Sequence, residues 1–150
     1  MRKTALAFVA AFCITLTSSS HARQPVDPVN KDRRGIALKG YDPVAYFAAG
    51  KPAKGAPQFS FDWMGATWWF VSGENRRLFQ ANPLQYAPQY GGYCSWAVSQ
   101  GYTADIDPEA WKIVDGKLYL NYNKSVQKKW EQDLDSRIEA ANQNWPRLHK

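Results

Sequence analysis

The residue best equipped for chemistry is Cys94, in the run Tyr90-Gly91-Gly92-Tyr93-Cys94-Ser95-Trp96. The glycines open positive φ and close backbone approach, and the rings can shield a thiol from water. That setting fits a soft-metal ligand, a reactive nucleophile or simply a buried small hydrophobe. If Ser95 opens a helix, Cys94 lies at its N-terminal end, where the positive dipole lowers a thiol pKa. Cu(I) favours thiolate and thioether donors, which makes Met64, in a turn with Gly65, the second candidate metal ligand. Tyr41, Tyr46, Trp68, Tyr90, Tyr93 and Trp96 are the candidate ligand-binding rings, suited to stacking on a haem-like or other flat aromatic compound. In a chain with seven Trp and eight Tyr, most rings are nonetheless expected to be core packing.

The rest of the titratable inventory narrows the choice. Arg2 and Lys3, an apolar stretch over 5–16, and Ser20-His21-Ala22 read as a secretory signal over 1–22, cut after Ala22 and too short to span a bilayer. The expected product is periplasmic or secreted, with no transmembrane segment after signal removal. Removal takes away Cys13 and His21 and leaves Cys94 without a disulfide partner. The remaining histidine, His149, stands at the fraying C-terminus. A thiol enzyme needs a resolving cysteine or a histidine base, so binding is favoured over catalysis. The net charge is +6, but the basic residues are scattered and interleaved with acids, which argues against a nucleic-acid partner. Asp42 and Asp62 read as turn and strand-surface residues. The run Asp105-Ile106-Asp107-Pro108-Glu109 lacks the glycine and distal glutamate of a calcium loop and reads as a solvated turn.

The elements that position these residues follow from periodicity. Residues 23–35 are polar and proline-containing, an extended N-terminal arm before a domain over 36–150. Asp42-Pro43 signals a turn and then a single helical turn. Phe59, Phe61 and Trp63 alternate with polar residues, Met64-Gly65 turns the chain, and 67–71 is a second aromatic strand, so a hairpin is expected. A short helix over 74–81 follows, capped by Ser72, with Leu78 and Phe79 facing the sheet. Asp115-Gly116 between β-rich runs marks a second hairpin. Val126, Trp130, Leu134, Ile138 and Ala141 draw one apolar stripe along a long C-terminal helix over 124–144, closed by Pro146. The fold class is α+β: two antiparallel β-hairpins in one small sheet, a short helix after the first, and a long amphipathic helix packed across.

The blocks GYDPVAYF, FDWMGATWWFVSGENRRLFQANPLQY, APQYGGYCSWAV and DPEAWKIVDGKLYLNYN, followed by a helix ending in NWP, resemble the exported single-domain YHS family over residues 35–146. YHS domains are similar to TRASH-type metal modules found on copper-transporting ATPases, where cysteines at the end of the second strand and in the following helix bind metal. In this chain the corresponding segment, Phe70-Val71-Ser72-Gly73-Glu74-Asn75, has no cysteine. The resemblance therefore implies an exported binding module whose partner is a metal ion or a small molecule, with copper as the candidate cofactor and any metal site rebuilt around Cys94. Two alternatives stay open: a thiol-redox or mixed-disulfide protein using Cys94, and a structural interaction domain without a site.

Overall fold

A computed structural model describes residues 24–150; the signal expected over 1–22 lies outside the described residues. The chain is α+β. Strands β1 (Ala56–Trp63) and β2 (Ala66–Phe70) form one antiparallel hairpin, and β3 (Asp107–Val114) and β4 (Lys117–Asn121) another. Helix α1 (Pro43–Ala48) precedes the first hairpin. Between the hairpins come α2 (Gly73–Ala81), the short α3 (Pro83–Tyr86) and α4 (Ser95–Ser99). The chain closes with α5 (Lys124–Glu131) and α6 (Leu134–Leu148). No helix among the described residues is long and apolar enough to cross a membrane.

The two hairpins do not join into the single sheet expected; each is a two-stranded sheet of its own. The reason lies at the outer edge of β2. There the segment around Ile36 pairs with Thr67, Ala37 N–H donating to Thr67 O (2.9 Å) and Thr67 N–H to Gly35 O (2.8 Å). With that edge occupied, the second hairpin meets the first through side chains. Trp68, Phe70, Leu118, Leu120 and Ile106 share one core with Leu38, Val44 and Tyr46.

Local signals act as their chemistry dictates. Ser72 Oγ accepts from Asn75 N–H (3.1 Å) and starts α2, whose Phe79 packs on Trp68, Phe70 and Trp63 at centroid distances of 5.1, 5.2 and 5.6 Å. Leu78, expected beside Phe79, instead stands partly exposed, because neighbouring helix positions point about 100° apart and only one can face the hairpin.

Two expectations need larger corrections. The C-terminal helix is not one rod over 124–144. It breaks at Gln132–Asp133, where Asp133 leaves helical geometry (φ −146°, ψ 61°), and α6 then runs through Pro146 to Leu148. Rather than crossing a sheet, α6 packs on α4. Asn144 Nδ2 donates to Val98 O (2.9 Å) and Ser99 O (3.1 Å), satisfying carbonyls at the end of α4. The arm, for its part, is not a free extension. Val29 is buried, Asn30 N–H donates to Gly91 O (2.8 Å), and Val26 N–H donates to Leu148 O (2.9 Å), which ties both ends of the described chain together.

Candidate functional site

Cys94 sits where the sequence places it, immediately before α4. Its surroundings differ from a reactive site. The residue is 1% exposed, its Sγ accepts from Tyr122 N–H (3.3 Å), and the S–H faces Asn121 Oδ1 (3.8 Å). Burial pushes the thiol pKa up, and the N–H groups of Ala97, Tyr122 and Trp96, which pull it down, do not overcome that push. The expected lowering at a helix N-terminus is therefore overturned. A helix of five residues offers a weak dipole, and desolvation wins.

The glycines beside Cys94 answer to packing. A Cβ on Gly91 (φ +61°) would stand 2.0 Å from Pro28 O, and one on Gly92 (φ +80°) 2.5 Å from Leu38 Cδ2. The close approaches that these glycines permit are to the arm and to the core.

The predicted rings do not gather around Cys94 as a set. Tyr46 is buried, its hydroxyl donates to Pro108 O (3.0 Å), and its ring meets Trp111 edge-on at 5.2 Å. Tyr41 lies under the Lys54 ammonium at 4.8 Å, and Tyr93 packs on Trp145 at 5.9 Å. Only Trp96 shares the apolar cavity of about 220 Å³ that Cys94 lines, together with Ala97, Tyr102, Ala104, Tyr122 and Val126. Met64 lines a different cavity, so the structure does not assemble the Cys94 and Met64 pair. Among the described residues no three His, Cys, Asp or Glu side chains gather as a metal cluster.

Met64, Trp68 and Tyr90 meet instead in a groove of about 280 Å³. Pro28 and Val29 of the arm form one wall, the turn after β1 another, and Trp145, Pro146 and His149 from the C-terminal end a third. Each ring is held. Trp68 Nε1–H donates to Trp63 O (3.1 Å), and the two indoles lie 5.8 Å apart. Tyr90 is 5% exposed, and its hydroxyl donates to Asn142 Oδ1 (3.0 Å); burial raises its phenol pKa, with Tyr119 adding to the rise. Met64 stands half exposed at the groove, at φ +50° in a turn completed by Gly65 at φ +70°.

The sequence places His149 in a C-terminal tail expected to fray. The tail in fact folds back: Leu148 is buried and bonded to the arm, and the imidazole stacks on Trp145 at 4.3 Å with an interplanar angle of 20°. Its Nδ1 lies 2.6 Å from Trp145 O. A carbonyl only accepts, so Nδ1 carries the proton and Nε2 is left with its lone pair in the neutral ring. The signal in the sequence is the spacing of four between Trp145 and His149, which brings the C-cap residue over Trp145 once α6 runs through Pro146.

Among the described residues the groove lining contains no Asp, Glu, Lys or Arg, although the chain is 21% charged. Chemically it can bury a flat apolar body and offer a few hydrogen bonds, and it holds no nucleophile paired with a base. Compared with known proteins, the chain matches no family model, no curated protein and no solved structure.

Proposed function

We propose that this chain is an exported, non-catalytic binding module that holds a small, uncharged organic molecule in the groove between the arm, the first hairpin turn and the C-terminal end. The observation that carries this reading is the groove itself, walled by Trp63, Trp68, Tyr90, Trp145 and His149, with no charged side chain in its lining among the described residues. A charged ligand would lose its hydration there without a compensating partner, whereas a ring system gains stacking and apolar burial. At about 280 Å³ the space lies just under the range of roughly 300–1,000 Å³ usual for drug-sized ligands, which suits a compact ring system. Export is supported by the signal-like residues 1–22.

The soft-metal reading centred on Cys94 is less well supported, because the thiol is buried, its pKa is raised, and Met64 lines another cavity. One pair of titrations separates the two. The mature protein is labelled on its tryptophan indoles and titrated by NMR with 1-naphthol and, separately, with Cu(I) under anaerobic conditions. Shifts confined to Trp63, Trp68 and Trp145 with 1-naphthol support the groove. Stoichiometric Cu(I) that disappears in Cys94→Ala, with no response to 1-naphthol, would replace this reading with metal handling.

A further inference from the structure

The groove assigns its ligand one polar feature beyond being flat and neutral; this step rests on the groove being the binding site. Three polar groups of the groove are already committed to the protein, while the indole N–H groups of Trp63 and Trp145 make no hydrogen bond to the described residues and can only donate. Trp68 Nε1–H is spent on Trp63 O, the Tyr90 hydroxyl on Asn142 Oδ1, and His149 Nδ1–H on Trp145 O. The amide of Asn142 lines the groove from an exposed position, and that of Gln89 from a half-buried one like that of His149. The imidazole is fixed twice, by its stack on Trp145 and by its hydrogen bond to the carbonyl of the same residue. With Nδ1 bonded to the helix backbone, the ring nitrogen that this groove-lining histidine has left is Nε2, which makes no hydrogen bond to the described residues. A histidine held through one nitrogen to a backbone carbonyl presents a defined acceptor at the other.

We infer that the natural ligand is a neutral fused-ring aromatic bearing an N–H or O–H donor on its edge, its face against the groove indoles and its donor on His149 Nε2. A donor in this position selects among otherwise similar rings. An isostere without it leaves the imidazole nitrogen unpaired in an apolar groove, while a ring that carries it gains one hydrogen bond. The absence of lining carboxylates among the described residues distinguishes this ligand from an organic cation, which would have only ring faces to compensate its charge.

The probes are indole and benzofuran, which have the same fused-ring shape, one with a ring N–H and the other with an ether oxygen. Binding is followed by isothermal titration on the mature protein and on His149→Phe, a change that keeps a flat ring beside Trp145 and removes the acceptor. Indole is expected to bind the wild-type protein about threefold to tenfold more tightly than benzofuran, the value of one net hydrogen bond. His149→Phe is expected to bind both alike, with an unchanged urea midpoint showing that it is folded. Equal binding of the two rings to the wild type would overturn the donor assignment and leave the groove reading standing. Tetramethylammonium binding more tightly than indole would overturn both the donor and the neutrality. If neither ring shifts any groove indole signal, the groove reading itself falls, and the inference with it.

Discussion

Replacing Asp42 by alanine is expected to remove about 3 kcal/mol of stability, because one buried carboxyl group joins three elements. Asp42 is 0% exposed. Its Oδ1 accepts from Val44 N–H (2.8 Å) and Ala45 N–H (3.3 Å), capping α1. Its Oδ2 accepts from Val71 N–H (2.9 Å), just after β2, and from Asn75 Nδ2 (2.7 Å), in the first turn of α2. Losing an N-cap costs about 1 kcal/mol. The Val71 and Asn75 donors would then lack an acceptor, at about 1–3 kcal/mol each. The burial cost of the carboxyl group itself disappears with it, which places the net near the lower end of that sum. The assay is urea unfolding followed by tryptophan fluorescence. With a slope of about 2 kcal/mol/M, the midpoint should fall by about 1.5 M. Asp42→Asn sharpens the test. It keeps one oxygen for the cap but points an amide N–H₂ at two donors, so it should be nearly as destabilised as alanine. If Asp42→Asn restores most of the stability, only the cap matters and the bridge to β2 and α2 contributes little. If Asp42→Ala shifts the midpoint by less than about 0.5 M, about 1 kcal/mol at that slope, the whole argument fails.

Three further outcomes are expected. Gly91→Ala would place a methyl 2.0 Å from Pro28 O at φ +61°, so the arm must move; a loss of about 3 kcal/mol and faster hydrogen exchange at the Asn30 amide are expected, and unchanged Asn30 protection would contradict the arm contact. The raised Cys94 pKa gives stability that is complete below the unfolded thiol value of about 8.5 and declines as pH rises above it, because the unfolded chain loses that proton first. Cys94→Ala should flatten the decline above about pH 8.5, and native Cys94 should resist iodoacetamide until the protein unfolds; rapid alkylation of the folded protein would refute the burial argument. Met64→Asn, which puts an amide-bearing residue suited to positive φ into the hairpin turn, is expected to stabilise by about 0.5–1 kcal/mol while weakening 1-naphthol binding. A loss of stability would instead show the methionine side chain to be packing.

Legibility in the sequence follows the range of the interactions. Short-range chemistry was readable. Asp115-Gly116 turns the second hairpin with φ of +50° and +73°, as the dipeptide predicts, and Ser72 caps α2. Periodicity was blind to the helix break, because Trp130 and Leu134 keep a helical spacing of four across Gln132–Asp133 and the apolar stripe runs on regardless. The groove was harder still. Tyr90 and Asn142 are 52 positions apart, and the arm meets Gly91 from more than 60 residues away, so no local pattern pairs them. For Cys94 the local signal was correct, a cysteine before a helix, and the tertiary term reversed its consequence: desolvation outweighs the helix end.

Backbone conformation argues that the groove is more than space left over by packing. Positive φ at a residue other than glycine costs free energy, of order 1–2 kcal/mol, unless the surroundings return it. Asp115 occupies a turn position that suits it, Leu38 is 1% exposed and packs where Gly92 makes room, and Lys39, exposed at φ +56°, is held by the ion pair of its ammonium with Asp105 (2.9 Å). Tyr90 also takes positive φ, but its ring is buried and its hydroxyl bonded. Met64 is 49% exposed and lines the groove at φ +50°, with little burial to offset its strain. A hairpin selected for stability alone would place asparagine or glycine there. Local rules that are broken without a compensating gain concentrate at sites used for something else, and Met64 places a polarizable, adaptable side chain at the edge of an aromatic groove.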